Sequence, residues 1–325
     1  MMVPTSGKPR RSAARVIQVG ERFQLWLLRQ SWFERLLSVL PRNLRWLLRK
    51  VYFAPLDIAD RFTDREHATV PPRRAMFTGA NHDFVESGRL PIAALEHIAG
   101  LTPSSQMLDL GCGIGRIALA AASYLDASGR YEGLDIVPEG IKWCSQNIQS
   151  PHNNVRFTLA DVYNGEYNPK GKIRASDYRL PFEDNSLDLA VLFSVFTHML
   201  PADVDHYVSE LARVLKPGGR LVASYCLIND VSRDLMRTHG NHRFTQNHGT
   251  HWTRGGKVHE LAIAYGEVDA LACLAKHGFD ECPKTYYGGW CGRTVQWGDP
   301  GLKEMQQLND YAGDGGQDTV VAIKL

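Results

Sequence analysis

The sequence has few of the features that mark secreted or membrane-spanning chains. Its six cysteines form no Cys-x-x-Cys pair, which predicts free and mostly buried thiols instead of a disulfide framework. Its most apolar stretch, residues 23–51, is interrupted by seven charged residues and by Pro41, whereas a spanning helix needs about 20 mainly apolar residues. No uninterrupted apolar segment follows the basic start as in a secretory signal. We therefore expect a cytoplasmic chain.

Net charge is also small, at +2 over 325 residues, so the chain as a whole is not a polyelectrolyte binder. The charge is unevenly distributed. Residues 1–75 carry 15 Lys and Arg against 6 Asp and Glu, and the remaining residues carry 22 against 29. This asymmetry predicts a basic tail and amphipathic helical arm over 1–75, followed by one mildly acidic domain over 76–325.

The basic arm allows three interpretations. Residues 1–20 are typical of a tail, 21–51 predict two short amphipathic helices divided at Pro41, and 52–80 predict a polar connector. The helices could dock on the body as a cap, or lie peripherally on the inner face of an anionic membrane through 21–51. Nucleic-acid binding is the third interpretation, and we expect no nucleic-acid partner because no matching fold signature accompanies the charge.

From residue 106 onward, strand and helix patterns alternate, which predicts a parallel sheet with helices on both faces. The chain ends with two strands and no helix between them, which predicts one antiparallel strand. The fold class is therefore a Rossmann-like, doubly wound α/β sheet of seven strands with the last antiparallel. The predicted strands are 106–110, 130–136, 155–160, 187–193, 220–227, 284–287 and 318–324, and the predicted helices are 83–99, 115–124, 138–149, 202–215 and 267–277.

A glycine-rich loop follows the first of these strands directly. The run 107–116 reads Met-Leu-Asp-Leu-Gly-Cys-Gly-Ile-Gly-Arg. A strand, glycine loop and helix in this order bring backbone N–H groups beside a ligand, and a Cβ would hold the chain away. The dinucleotide pattern requires a glycine at position 116, which is Arg116. Asp109, two residues before the first glycine, would repel a pyrophosphate and attract a cationic amine.

This run resembles motif I of the class I S-adenosylmethionine-dependent methyltransferases. The resemblance extends over about residues 75–325 and implies S-adenosylmethionine as cofactor. It also implies that the acid and the loop hold the methionine end of the cofactor, through Asp109, Gly111, Cys112, Gly113 and Gly115.

Three further segments match the same family. Asp135 ends the second strand about 20 residues past the glycines, where the family has its ribose-binding acid, and Ile136 follows it. Asp161 and Val162 match the acid that contacts the adenine amino group and the residue that packs on the ring. Asp177 is a competing position for that acid, and Asp161 is favoured because it directly ends a strand.

Residues 194–198 follow the fourth strand and are expected to face the site, because open parallel sheets bind ligands at their C-terminal strand ends. Ser194 is assigned to the cofactor. His198 is the candidate general base, and a capping or packing histidine is its alternative. The segment 212–220 matches the turn that precedes the fifth strand in the family, where Pro217, Gly218 and Gly219 are expected to end the helix.

Several other side chains are candidates for shaping the acceptor pocket. The five histidines between positions 239 and 259 have irregular spacing, so we expect a polar lid there and no metal site. The remaining candidates, each with a plain surface loop or hairpin as its alternative, are Tyr163, Tyr167, Asn168, Trp290 and Arg293.

The resemblance implies an enzyme that transfers the methyl group of S-adenosylmethionine, and we expect the acceptor to be an oxygen of a small molecule or glycan. Two alternatives stay open. One is a methyltransferase that acts on a lipid or at a membrane, and the other is a non-catalytic module that binds the cofactor.

Overall fold

A computed structural model of the chain describes residues 42–63, 70–76, 84–239, 244–255, 258–295 and 316–325. The chain forms two compact units, residues 1–81 and 82–325. The boundary between residues 75 and 76 remains our prediction for where the enzyme domain begins.

In the first unit, one helix (α1, Arg42–Thr63) is followed by a 3-10 turn at Arg73–Ala75. The predicted connector over 52–80 is therefore wrong for its first part, because the helix continues through Pro55 to Thr63. Asp57 shows why this polar stretch is ordered: its carboxylate accepts the backbone N–H groups of Arg73 and Arg74 at 2.6 and 3.4 Å. The predicted helix before Pro41 lies outside the described residues. No helix of the described residues is long and apolar enough to cross a membrane.

The second unit is built on a seven-stranded sheet. In chain order its strands are β1 (Gln106–Leu110), β2 (Arg130–Asp135), β3 (Val155–Leu159), β4 (Leu187–Leu192), β5 (Leu215–Tyr225), β10 (Lys284–Tyr286) and β11 (Asp318–Ile323). The spatial order is β10-β11-β5-β4-β1-β2-β3. β1 to β5 run parallel, and β11 pairs antiparallel with both β5 and β10. The predicted Rossmann-like sheet with an antiparallel last strand is confirmed.

Helices cover both faces of this sheet, as the two-residue alternation of the strands requires. In β1, Met107 packs with one apolar layer while Leu108 and Leu110 pack with the other. The Met107 layer includes α2 (Glu86–Ala99), α3 (Arg116–Tyr124) and α4 (Pro138–Asn147), and the opposite layer includes α5 (Pro201–Val214) and α7 (Glu267–Lys276). Strands buried on both faces explain why their sequences are nearly continuous apolar runs.

The Leu-Lys-Pro-Gly-Gly segment differs from its prediction. α5 ends at Val214, and the residues expected to end it lie inside β5, where the pairing with β4 shifts register between Leu187 and Leu189. Gly218 adopts φ +78°, and its N–H donates to the carbonyl of Lys324 at 2.8 Å. The glycine therefore serves an irregularity in the strand instead of a helix terminus.

A second, smaller sheet and a helix were not predicted at all. The helix, α6 (Asp230–Thr238), begins at a capping box between Asn229 and Ser232. The strands of the small sheet are β6 (Leu227–Ile228), β7 (Gln246–Asn247), β8 (His251–Thr253) and β9 (Ile263–Gly266), in the spatial order β6-β9-β8-β7. They are two to four residues long, too short for a periodic pattern. The small sheet occupies much of the segment predicted as a polar lid, beyond the C-terminal end of β5.

Gly88 allows α2 to pack closely on the start of α3. A Cβ at this position would lie 2.1 Å from the backbone carbonyl oxygen of Arg116. An unconstrained helical glycine gains roughly 0.5–1 kcal/mol of stability on replacement by alanine. We expect Gly88→Ala instead to lower the free energy of unfolding by roughly 1–3 kcal/mol, measured by urea denaturation. An unchanged or raised midpoint would contradict this packing.

Candidate functional site

The loop between β1 and α3 has a backbone that only glycine adopts readily. Gly111, Gly113 and Gly115 have φ of +85°, +59° and +81°. Space is restricted as well: a Cβ on Gly111 would lie 2.4 Å from the Val195 side chain, and one on Gly115 would meet Ile148 at 2.4 Å. The loop is therefore held between the segment after β4 and the end of α4.

The N–H groups of this loop are used within the protein. Gly111 and Cys112 both donate to the carbonyl of Leu134, at 2.7 and 3.2 Å, and Gly115 donates to the carbonyl of Cys112 at 3.0 Å. Gly113 donates to the Asp135 carboxylate at 2.7 Å. The expectation that the loop presents its N–H groups to a ligand is wrong for these four, because three of them fix the loop to β2 and that of Gly115 is bonded within the loop. These bonds leave fewer donors for a pyrophosphate than a loop whose N–H groups all face a ligand.

Asp135, the last residue of β2, is the second connection in this arrangement. One carboxylate oxygen accepts from Gly113, and the other accepts the N–H of Val137 at 2.8 Å. The side chain is 7% exposed, and burial raises its pKa although these hydrogen bonds lower it. Each carboxylate oxygen has a further lone pair, so Asp135 can still accept hydroxyl groups from a ligand. Ile136 follows, half-buried against the apolar layer.

Asp109 lies in β1 beneath the same loop. Its carboxylate is almost completely buried and accepts a hydrogen bond of 2.6 Å from the hydroxyl of Tyr131. Burial raises the pKa of Asp109 to about 7, the bond from Tyr131 lowers it, and the charge of Asp135 raises it. Two carboxyl groups therefore lie on either side of the glycine loop, which favours a cationic ligand over an anionic one.

Asp161 and Asp177, the two candidates for the adenine-binding acid, are both exposed. Asp161 lies two residues beyond β3, which pairs with the Asp135 strand, and its carboxylate is 3.9 Å from the Lys172 ammonium group. Asp177 lies in a 3-10 turn and pairs with Arg174 at 2.7 Å. Val162 is buried beside Asp161. The position next to β2 keeps Asp161 as the predicted residue.

Ser194 and His198 follow β4, next to the glycine loop. Ser194 is exposed, has φ +58°, and donates its N–H to the Ser224 hydroxyl at 2.7 Å. The Nδ1 atom of His198 lies 2.9 Å from the carbonyl oxygen of Glu260. A carbonyl only accepts, so Nδ1 carries the proton and Nε2 of the neutral ring is left as an acceptor. The Tyr167 hydroxyl lies 3.4 Å from Nε2.

The segment after Val162 folds back toward His198 through a residue that the sequence analysis missed. The Asn164 side-chain amide donates to the carbonyl of His198 at 2.9 Å, and its oxygen accepts the N–H groups of Glu166 and Tyr167. The Asn-Gly pair at 164–165 is a turn signal that could have identified it. Tyr163 is exposed, and the Asn168 side chain donates to the carbonyl of Val162 at 2.9 Å.

The aromatic and basic side chains near β10 have structural partners. Trp290 is buried and donates its indole N–H to Asp318 at 2.7 Å. Arg293 lies 3.4 Å from the same carboxylate and over the Tyr287 ring. These contacts assign both residues to the packing around Asp318, the first residue of β11.

The histidine-rich segment places three of its members together. The His248 and His251 rings stack at 4.8 Å, and the His259 ring lies 5.7 Å from His248, while His242 lies outside the described residues. Among the described side chains, the group close enough to ligate a metal is elsewhere, at Asp205, Cys273 and His277. Its carboxylate already accepts from Lys276 and His277, at 2.7 and 2.9 Å, so it forms an ion-pair network between α5 and α7.

Comparison with known proteins identifies the central part of the second unit. A family described as "Methyltransferase domain" matches residues 108–223, which run from β1 through most of β5. This range includes the glycine loop, Asp135, Asp161 and the residues after β4.

Two curated relatives are methyltransferases. Over 137 residues the chain is 31% identical to the sterol 4-C-methyltransferase of Caenorhabditis elegans, covering 41% of this chain and 35% of the relative. Over 122 residues it is 34% identical to the demethylmenaquinone methyltransferase of Lactiplantibacillus plantarum, covering 38% and 45%. The chain thus spans less than half the length of these relatives.

Among solved structures, an S-adenosylmethionine-dependent methyltransferase of Methanosarcina mazei is similar, with 21% identity and a TM-score of 0.43. The similarity covers 69% of this chain and 94% of that one.

The buried Asp109 carboxyl predicts a pH-dependent stability. Its pKa rises from the ordinary 3.8 to about 7 on folding, so the native state binds the extra proton between these values. The stability from this proton is present at low pH and is lost as the pH rises through about 7. Asp109→Asn keeps an acceptor for Tyr131 but does not titrate. We expect the variant's melting temperature to exceed that of wild type by more at about pH 8.5 than at about pH 5.5.

Differential scanning calorimetry of both proteins across this range measures the effect. The difference between the two proteins cancels the titration of the other buried carboxyls. A difference that is constant with pH, or that grows toward low pH, would contradict the raised pKa of Asp109.

Proposed function

We propose that this chain, which belongs to the class I S-adenosylmethionine-dependent methyltransferase family, transfers the methyl group of S-adenosylmethionine to a small-molecule acceptor. The observation that carries the proposal is a glycine loop fixed by one buried acid, with a second buried acid in the strand before it. Asp135 holds the loop through Gly113, and Asp109 lies beneath it.

Each predicted cofactor residue has a proposed role at the C-terminal edge of the sheet, where β1 to β5 end. Asp109 and the loop 111–115 with Cys112 attract the methionine end with its cationic amine. Asp135 accepts the ribose hydroxyls, with Ile136 beside it. Asp161 accepts from the adenine amino group and Val162 packs near the ring. Ser194, which follows β4, contacts the cofactor.

The chemistry requires little from the protein beyond alignment. The methyl group on a sulfonium is already activated, because a neutral thioether leaves when the new bond forms. The chain needs to place the acceptor atom in line with the S–CH3 bond and to exclude water. Loop N–H groups that are already bonded within the protein give a rigid surface for this alignment.

For an oxygen acceptor on a small molecule or glycan, we propose His198 as the general base. The acceptor oxygen forms a bond to the methyl carbon, the carbon–sulfur bond breaks, and the hydroxyl proton passes to Nε2 of His198. The carbonyl of Glu260 supports this role. Because it accepts a hydrogen bond from Nδ1–H, Nε2 of the neutral ring carries no proton and can accept one. The Tyr167 hydroxyl lies on the same side, at 3.4 Å from Nε2.

A lipid acceptor is the second candidate. It is favoured by the names of the two curated relatives, whose acceptors are a sterol and demethylmenaquinone, both apolar molecules. Peripheral membrane contact through residues 21–51 would give access to such a molecule. A non-catalytic module would bind the cofactor and turn over no acceptor.

The proposed role of Asp135 is tested by calorimetric titration with S-adenosylhomocysteine. Asp135→Asn keeps one oxygen acceptor but presents an NH2 group to a backbone N–H and to the ribose. Losing charged hydrogen bonds of about 1.5–3 kcal/mol should weaken binding roughly 10–100-fold. Asp177→Asn is the matched control, since its exposed carboxylate accepts only from Arg174 and, at 3.5 Å, from the Ser176 hydroxyl in the described contacts, and binding should change less than about twofold.

Equal affinities of wild type and Asp135→Asn would remove Asp135 from the cofactor site. A large loss in Asp177→Asn would instead identify Asp177 as the adenine-binding acid in place of Asp161. Melting temperatures of the same samples separate lost binding from lost folding.

The role of His198 is tested by transfer of a labelled methyl group to a panel of hydroxylated small molecules, saccharides, quinols and sterols. On an oxygen acceptor, His198→Gln should lower kcat roughly 10²–10⁴-fold, with cofactor affinity unchanged. His206→Gln is the control, because His206 also bonds a backbone carbonyl, that of Tyr178, at 2.8 Å. Full activity of His198→Gln would leave this histidine with a packing role only.

A further inference from the structure

One face of α1 consists of exposed apolar side chains. Leu47, Val51 and Ile58 are 56%, 65% and 56% exposed, and Leu44 and Leu48 are exposed as well. At about 100° per residue, these five positions fall within an arc of about 100°. The face extends along about 21 Å of helix, at 1.5 Å per residue. A row of large apolar residues open to solvent is unusual in a protein surface and marks a contact site.

The opposite side of α1 carries its buried and hydrogen-bonded side chains. Phe53 and Asp57 are 2% and 6% exposed, and at about 100° per residue they lie about 170° and 130° from the centre of the apolar arc. Asp57 accepts the backbone N–H groups of Arg73 and Arg74, and its carboxylate lies 3.7 Å from the Arg74 guanidinium group. Since the helix is attached through this side, its apolar face is left directed away from the turn at Arg73–Ala75.

The charge of α1 is basic where the apolar face begins. The first nine positions of the helix carry Arg42, Arg45, Arg49 and Lys50 and no acidic residue. At about 100° per residue these four positions lie outside the apolar arc. Lys50 is exposed. The two acids of the helix come later, and one of them, Asp57, is buried and bonded.

We propose that the apolar face of α1 lies on the surface of an anionic phospholipid bilayer, with the helix axis parallel to the membrane plane. The apolar side chains enter the boundary between headgroups and acyl chains, and the basic residues meet anionic headgroups. The helix would lie on the membrane instead of crossing it, in agreement with the lack of a spanning helix among the described residues.

The pattern favours a membrane over another protein surface. An interfacial helix combines a continuous apolar face with a strongly basic polar side, whereas the buried centre of a protein interface is depleted of charge. Leu44, Leu47, Leu48 and Val51 occupy the same roughly three turns of helix as the four basic positions. The inference rests on α1 alone and does not require the proposed methyl transfer.

Co-sedimentation of the full chain with vesicles tests the proposal. We expect at least about tenfold tighter binding to phosphatidylcholine vesicles containing phosphatidylglycerol than to pure phosphatidylcholine, and weakening at about 1 M salt, where the Debye length is about 3 Å. The double variant Leu47→Glu, Val51→Glu should lose at least about tenfold in binding to the anionic vesicles.

Val268→Glu is the matched control, because Val268 is 80% exposed on α7 in the second unit. It should bind vesicles as wild type does. Lys50→Glu reverses one charge without changing the apolar face. It should weaken binding to anionic vesicles only. Helix content and melting temperature of each variant show whether it is folded.

Wild type that stays in the supernatant with anionic vesicles would overturn the proposal. So would a folded double variant that binds as tightly as wild type. A chain that is dimeric by sedimentation velocity, and becomes monomeric only in the double variant, would assign the face to a second copy instead. Titration of the same samples with S-adenosylhomocysteine is independent of these outcomes, so a failure here is distinct from a failure of the proposed function.

Discussion

The Asp135 carboxylate is the interaction on which the geometry of the site depends. One oxygen holds the N–H of Gly113 and the other holds the N–H of Val137, so a single side chain joins the glycine loop to the start of α4. The carbonyl of Leu134, one residue earlier, accepts from Gly111 and Cys112. The end of β2 thus determines the path of the loop after β1. Burial raises the Asp135 pKa, and the two N–H donors partly offset that cost.

The same arrangement bears on the charge of the ligand that the site can bind. Four loop N–H groups are bonded internally, and the buried carboxyls of Asp109 and Asp135 lie beside the loop. Two carboxyls in this position favour a positively charged ligand with free ribose hydroxyls over a pyrophosphate. The cofactor of the family has both properties. The side chains of His198, Tyr167 and Asn164 lie where the segments after β3, β4 and β8 meet.

Much of this architecture was accessible from the sequence, because strands buried on both faces and a glycine loop leave strong local patterns. The strand at Gln106–Leu110 has its predicted bounds, and the antiparallel ending is as expected. What the sequence could not predict depends on distant partners. The Asp57 carboxylate bonds to the backbone of Arg73, Asp109 accepts from the Tyr131 hydroxyl, and Trp290 donates to Asp318. Each of these contacts joins residues that are more than 15 positions apart. The small sheet was missed because strands of two to four residues are too short to show the alternation of apolar and polar residues that identifies a strand.

The most direct test of the central claim compares two ligands on wild type. Calorimetric titration with S-adenosylmethionine and with oxidised nicotinamide adenine dinucleotide distinguishes a cationic ligand that carries ribose hydroxyls from one that carries a pyrophosphate. The acids and the internally bonded loop predict one S-adenosylmethionine per chain and no detectable dinucleotide binding. Dinucleotide binding with no response to S-adenosylmethionine would contradict the assignment of the glycine loop and of Asp135.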